Sequence, residues 1–355
     1  MSRISFYPGP SRVNAKVTEY FYDAYMEGIL SENHRSAAFM KLFKKTKKLL
    51  KQKLDVPEDY EIVFTSSATE CWEIIAQSLT AKASFHVYNG AFGNKWCEYA
   101  GKLGVETHAA SFDIEDAVPI KLLSVPEEVD VVCVTQNETS NGTQVSDVEL
   151  TILRRQFTDR LIAVDATSSM AATTLPFKMA DVWFASVQKG FGLPSGMGIM
   201  ILSPAAVAKA EKLNENDHYN SLLFSIANSR KDQTPYTPNI LGIYLLYRLM
   251  EDRRPIEEIN RKVKNRFLDW MDFLNKFDSW TPLVENESVR STTVIPLKAE
   301  PSVIKELLEK ASDAGFTLGS GYGEWKEDTI RIANFPSIKK KEIQSLRFFL
   351  KKNFD

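Results

Sequence analysis

Short apolar runs alternate with stretches of helical spacing through the first two thirds of the chain. Glu61-Ile62-Val63-Phe64 predicts a strand, followed by Ser67-Ala68-Thr69 and a helix over ECWEIIAQSLT. Residues 84–88 predict a second strand ending at Asn89-Gly90, with a helix from 94 to 102. VDVVCVT (129–135), RLIAVDA (160–166), DVWFASV (181–187) and GMGIMILS (196–203) complete the set. Strands buried on both faces read as near-continuous apolar runs of this kind. Their alternation with helices specifies a layered α/β domain with a mainly parallel mixed sheet. Ligands of such sheets sit beyond the carboxyl ends of the strands. Polar residues that end these runs, such as Asp165 and Lys189, are therefore the ones to inspect.

The remaining pattern is largely helical. AFMKLFKKTKKLLKQKL places Phe39, Leu42, Phe43, Leu49, Leu50 and Leu54 at near-helical spacing, which predicts an amphipathic helix with a solvated lysine face. ILGIYLLYRLMEDRRPIEEINRKVKNRFLDWMDFLNKF is helical with a break at Pro255. A strand at 292–297, a helix SVIKELLEKASDAG stopped by Gly315, a strand at 328–332 and a basic terminal helix follow. Residues 15–257 are expected to form a large domain, and 258–355 with 1–14 a smaller α+β domain.

Composition narrows the function classes. Hydrophobic residues at 44% and charged residues at 25% describe an ordinary globular chain. Lys plus Arg number 44 against 46 Asp plus Glu, so no basic excess points to nucleic acid or an anionic membrane. The cysteines, Cys71, Cys97 and Cys133, are too scattered for a disulfide framework or a zinc knuckle. The four histidines form neither an H-x-x-x-H nor an HExxH pair, so no metal site is expected. No G-x-S-x-G elbow and no G-x-x-x-x-G-K-[ST] phosphate loop occurs. MSRISFYPGPS lacks a signal-peptide layout, and no apolar run approaches about 18 residues. A cytoplasmic location is expected.

The candidate chemistry lies in Ala185-Ser186-Val187-Gln188-Lys189-Gly190. A lysine at a strand end can project into a cleft, and a desolvated lysine has a depressed pKa and can form a Schiff base with an aldehyde. Taken alone, Lys189 also fits an ordinary surface loop. Asp165 ends the strand one unit upstream, and pyridoxal phosphate needs both an amine for its aldehyde and a carboxylate for its ring nitrogen. Asp165 equally suits a helix N-cap or turn. Ser66-Ser67-Ala68-Thr69 between strand and helix offers N–H groups, hydroxyls and a helix dipole for a phosphate. It also reads as a capping box with Ser67 as N-cap and Glu70 at N3.

The ordered set of motifs resembles the class V aminotransferase group of fold-type I pyridoxal phosphate enzymes, and within it the phosphoserine aminotransferase branch. Phe6-Tyr7-Pro8-Gly9-Pro10 resembles F-x-x-G-P, and Asn33-His34-Arg35-Ser36 resembles S-H-R-S. Ser67-Ala68-Thr69 is similar to the G-A-[ST] phosphate turn, and Asn137-Glu138-Thr139 to N-[NE]-T. Asp165 to Ser169 resembles D-x-S-S, Ser186 to Lys189 resembles [SA]-x-Q-K, and the tract 329–335 resembles the late arginine region. The resemblance implies that Lys189 holds the cofactor aldehyde and shuttles the proton at the substrate Cα. It implies that Asp165 pairs with the ring nitrogen, Thr139 bonds the ring's 3-oxygen and Phe92 stacks where the family has tryptophan. The resemblance further implies that Ser67, Ala68, Thr69 and Gln188 hold the phosphate, with Thr234 from a second subunit. It also implies that Arg331 grips the substrate α-carboxylate, and that His34 and Arg35 of a second subunit take the distal phosphate.

A homodimer with composite sites and ping-pong exchange between phosphoserine and 2-oxoglutarate, in serine biosynthesis, is the implied activity. Several positions depart from that branch. Ser66-Ser67 replaces Gly-Gly, Gln233 replaces an asparagine, and Glu70 lies near a position where some family members carry an arginine for the substrate phosphate, so that an acid facing the pocket there would repel it; Asn89 to Gly93 is closer to the alanine–glyoxylate or serine–pyruvate enzymes. Exchange of an uncharged amino acid, and a non-catalytic regulatory or assembly role, therefore stay open.

Overall fold

The computed structural model describes residues 3–354; Met1, Ser2 and Asp355, assigned above to the small domain, lie outside the described residues. The larger sheet has seven strands. Their spatial order is Glu61–Thr65, Gly198–Leu202, Val182–Ser186, Leu161–Asp165, Val129–Thr135, Ala83–Tyr88 and Glu106–Ser111. All pairs from Val182–Ser186 outward to Glu106–Ser111 are parallel, and Gly198–Leu202 runs antiparallel to both neighbours. The central strands are buried along their whole length, as continuous apolar runs require. Helices pack on both faces, over separate apolar clusters.

The amphipathic lysine helix spans Ala37–Leu54, burying Phe39, Leu42, Phe43, Leu50 and Leu54. Ser36 caps its first turn by accepting from the Phe39 N–H. Pro255 divides the later helical stretch into Ile240–Asp252 and Ile256–Leu274. The smaller sheet carries Phe316–Ser320 beside Thr329–Ala333, Val294–Lys298 and Thr281–Pro282, over a core built around Trp270 and Phe335. Ile4–Phe6 joins it in parallel with Phe316–Ser320. The segment that follows Phe6 then crosses to the larger sheet, where the Ser11 N–H donates to Gln188 O at 2.9 Å. Among the described residues no helix is long and apolar enough to cross a membrane.

Candidate active site

The strands Leu161–Asp165 and Val182–Ser186 are parallel neighbours, so their carboxyl ends deliver Asp165 and Lys189 to the same edge of the sheet. Both line one cavity of about 190 Å³. Lys189 leaves the strand through a tight turn in which the Gly192 N–H, at φ 71°, donates to the Lys189 carbonyl. The residue is 7% exposed, and its amine is held by two hydroxyls. It donates to Thr139 Oγ1 at 2.8 Å and to Ser168 Oγ at 3.0 Å. The strap Tyr7-Pro8-Gly9-Pro10 covers it. A Cβ at Gly9 would stand 2.6 Å from Lys189 Cε, so only glycine lets the strap lie this close.

Burial pushes the Lys189 ammonium down to about 8, against the pull of Asp165 and Glu138 and with a further push from Arg331. A neutral amine is the nucleophile toward an aldehyde. Compared with an ordinary lysine at 10.5, this one is neutral roughly two orders of magnitude more often near pH 7. Uptake of pyridoxal phosphate by the apoprotein, followed by visible absorbance, is accordingly expected to quicken with pH and level off above about 8. A rate that still climbs through pH 10 would show an amine of ordinary basicity.

Asp165 is buried at the foot of the cavity. Its Oδ1 accepts from the Thr167 N–H at 2.9 Å, and its Oδ2 from the Trp72 indole N–H at 3.4 Å. Burial pushes this carboxyl up, while the hydrogen bonds from Thr167 and Trp72 and the Lys189 charge oppose the shift. Arg331, on Thr329–Ala333 of the smaller sheet, is 3% exposed. It donates to Ser320 O at 2.8 Å and, through NH1, to Thr139 O at 2.9 Å. Those two bonds fix the guanidinium and leave donors of its five-donor fork for a carboxylate.

Phe92 opens the helix Ala91–Lys102, whose N-cap Gly90 has no side chain to accept from the first turn. Glu138 does so from the neighbouring hairpin: its Oε2 accepts from the N–H groups of Phe92 and Gly93 at 3.1 and 3.2 Å. A buried carboxylate at a helix N-terminus is favoured by the dipole, and here it fixes the aromatic ring beside Lys189. The ammonium lies 5.4 Å from the Phe92 ring centre.

The predicted phosphate turn is assembled in part. Ser67 is spent on capping, accepting from the Glu70 N–H, and the Ala68 N–H donates to Ser186 Oγ at 2.7 Å. Ala68, Thr69 and Gln188 line the cavity, whereas Ser67 does not. The Glu70 carboxylate accepts from Ser66 N and Oγ and faces a neighbouring cavity, away from Lys189. The repulsion expected of an acid facing the Lys189 cavity therefore does not arise within one chain.

Thr234, His34 and Arg35 are not brought to the cavity within one chain. Thr234 donates to Tyr236 O at 2.7 Å and lines the neighbouring cavity with Ser66 and Glu70. His34 and Arg35 lie on the loop before Ala37–Leu54, where Arg35 Nε donates to His34 Nε2 at 3.3 Å. Burial and the Arg35 charge hold the imidazole below its usual range. The motifs gave no role to Tyr322, Trp72, Thr135, Thr167 and Ser168, all of which border the amine or its cavity. A metal-type cluster lies elsewhere, formed by Glu106 and His108 of the edge strand and Glu128 of the turn before Val129–Thr135, and none of the three lines the cavity.

A mainly parallel sheet that brings a buried lysine and a carboxylate to one cavity defines the class. The chain belongs to the class-V aminotransferase family, which matches residues 8–321, and is a transaminase. It is 32% identical to a phosphoserine aminotransferase from Cytophaga hutchinsonii, with a TM-score of 0.94 over 99% of each chain. It is 25% identical to the phosphoserine aminotransferase of Corynebacterium glutamicum across 95% of this chain and 91% of that one. The likeness to an alanine–glyoxylate aminotransferase from Nostoc, 18% identical at TM-score 0.80 over 99% and 95%, shows the fold alone.

The family implies pyridoxal phosphate, and the cavity fits it. Thr135 Oγ1, Thr167 Oγ1 and Gln188 Oε1 are buried without a hydrogen-bond partner, on residues that line the wall. Each such atom costs about 1–3 kcal/mol until paired, so the wall suits a polar occupant. Phe92 supplies an aromatic face for a flat ring.

Proposed function

We propose that this transaminase exchanges the amino group between phosphoserine and 2-oxoglutarate, in serine biosynthesis, with pyridoxal phosphate held on Lys189. The observation that carries the chemistry is the buried Lys189 amine, with Asp165 and Arg331 on the same cavity. Bound cofactor supplies an electrophilic carbon for the donor's nitrogen and an electron sink for charge at its Cα. The Lys189 amine would take the proton from the donor's Cα and return it, as general base and acid. Asp165 keeps a proton on the ring nitrogen. Thr139 would hold the ring's 3-oxygen, Phe92 would cover one ring face, and Ala68, Thr69, Gln188 and the Ser67 turn would take the phosphate.

Arg331 orients the donor through its α-carboxylate. The same reading makes 15–257 the cofactor domain and 258–355 with 1–14 the small domain, in a cytoplasmic homodimer. A second copy supplies Thr234 to the cofactor phosphate, and His34 and Arg35 to the substrate phosphate. The phosphoserine assignment draws on the relatives' names and on this pair of side chains. One observation favours a donor with an uncharged side chain, as in alanine–glyoxylate exchange: the only cations lining the cavity of one chain, among the described residues, are Lys189 and Arg331.

A panel of phosphoserine, serine and alanine decides between them. Phosphoserine is expected to give the highest kcat/KM, and Arg35→Ala to lower it about tenfold or more through KM, the scale of one charged hydrogen bond. Intact phosphoserine turnover in that variant would remove Arg35 from the site.

A further inference from the structure

The phosphoserine reading needs cationic groups for a distal anion, and one stands behind the cavity wall, against the wall residue Tyr322, without an assigned task. Lys95 lies one turn beyond Phe92 on the helix Ala91–Lys102, so the two share a face. Its ammonium is 2.5 Å from the Tyr322 hydroxyl and 4.9 Å from that ring's centre. Tyr322 lines the cavity from the loop between Phe316–Ser320 and Thr329–Ala333. Its ring stacks on Phe92 at 5.2 Å and 27°, and the Arg331 guanidinium lies 5.5 Å over it. One phenol thus ties the helix of the larger sheet to the arginine of the smaller one.

Lys95 has no ion-pair partner within 4.0 Å among the described residues. Glu98, the acid one turn along, accepts from the Asn94 amide at 2.6 Å, and Glu70 is turned toward the neighbouring cavity. An ammonium carries three donors, and Tyr322 engages one of them. A half-buried lysine fixed against an aromatic wall, with donors to spare and no counter-ion, suits an anion arriving from the cavity.

We infer that Lys95, with the Tyr322 hydroxyl it holds, is a further specificity-determining pair for the anionic side-chain group of the amino donor, beside the His34 and Arg35 that a second copy is proposed to supply. The inference rests on the proposed exchange, because that exchange requires two anionic partners in turn. Phosphoserine ends in a tetrahedral phosphate and glutamate in a planar carboxylate. A rigid guanidinium fork favours planar bidentate pairing, whereas an ammonium on a flexible stem is a point charge that serves both shapes. Tyr322 contributes an orientable O–H donor beside it.

The test is Lys95→Met in the holoenzyme, with half-reactions of phosphoserine, glutamate and alanine followed by the cofactor's absorbance. The apparent KM for both anionic donors is expected to rise about thirtyfold, the scale of a lost charged hydrogen bond, with the saturating rate little changed. Alanine, which has no distal anion, is expected to shift by less than about threefold on the same scale. Lys95→Arg restores most of the phosphoserine affinity, and Tyr322→Phe, which keeps the ring stack, gives an intermediate rise. Unchanged KM values for the anionic donors, or an equal loss for alanine, would overturn the pair's role. If the unmodified enzyme takes glutamate but refuses phosphoserine, the proposed function fails and the glutamate arm still decides Lys95. If it takes alanine and neither anion, both fall.

Discussion

Lys189→Ala is expected to lower transamination by more than about 10⁴-fold, since under the proposed mechanism it removes both the covalent anchor and the proton carrier. Neither Thr139 nor Ser168, which accept from the amine, can replace it, because a hydroxyl neither condenses with an aldehyde nor carries a proton near neutral pH. The companion expectation concerns stability and has the opposite sign. The folded ammonium titrates at about 8 against an ordinary 10.5. Below the folded value the buried charge therefore destabilises the apoprotein, by roughly 3 kcal/mol at 1.36 kcal/mol per unit. The unfolded chain binds more protons between the two values, so wild-type stability rises as pH climbs from about 8 to 10.5.

Lys189→Met keeps the volume of the stem and removes the charge. That variant is expected to be inactive, to melt a few degrees higher as apoprotein near pH 7, and to lose the alkaline gain. Ordinary turnover by Lys189→Ala would remove the residue from the mechanism. A methionine variant that melts lower and keeps the same pH slope would show that the amine is not the buried titrating group.

The parts of this architecture that were legible are those whose signal is local. Val129–Thr135 and Leu161–Asp165 are apolar along their length because both faces are covered, and Lys189 and Asp165 follow from where such strands end. The edge strand Glu106–Ser111 gave no such run: it pairs on one side only, and ETHAAS is nowhere fully buried. Ile4–Phe6 is too short for a period, and Phe316–Ser320 follows so closely on Gly315 that the helix stop masked it. The helix at Phe92 begins at Ala91 and not near 94, because its cap comes from Glu138, far away in sequence.

Tyr322 lay in a turn without periodicity. The available signal was an aromatic between Gly321 and Gly323, shortly before the strand that carries Arg331. Ser168 sat inside the D-x-S-S match without a role until the amine was seen to donate to it. His34, Arg35 and Thr234 belong to a different kind of problem. The motifs mark them and the resemblance implies service to a second copy, and one chain alone does not bring them to the Lys189 cavity.

Asp165→Asn is the second large effect, expected to lower kcat by about 10³-fold while leaving the KM of the amino donor within a few-fold. The magnitude follows from the stabilisation a preorganised charge gives in a water-excluded site, about 3–4 kcal/mol of barrier. The side chain sits in a defined frame: Oδ1 accepts from the Thr167 N–H and Oδ2 from the Trp72 indole. An asparagine can present its carbonyl to only one of these donors. The 2.9 Å bond to Thr167 is the shorter and is kept, so the amide NH₂ meets the indole N–H and that donor loses its acceptor.

The variant therefore loses a hydrogen bond, yet it also removes a buried charge whose carboxyl is already pushed up by desolvation. The two terms oppose each other, and the apoprotein should unfold within a few degrees of the wild type. The cofactor is expected to remain bound through the lysine and the phosphate turn, but with a ring nitrogen that no longer keeps its proton. This is read as a changed pH dependence of the bound cofactor's spectrum, which a merely structural substitution would not move. Asp165→Glu keeps the charge but lengthens the arm in a fully packed strand end, and should recover the spectrum better than the rate. If Asp165→Asn kept both the wild-type rate and the wild-type spectral titration, the carboxylate would not be the partner of that nitrogen.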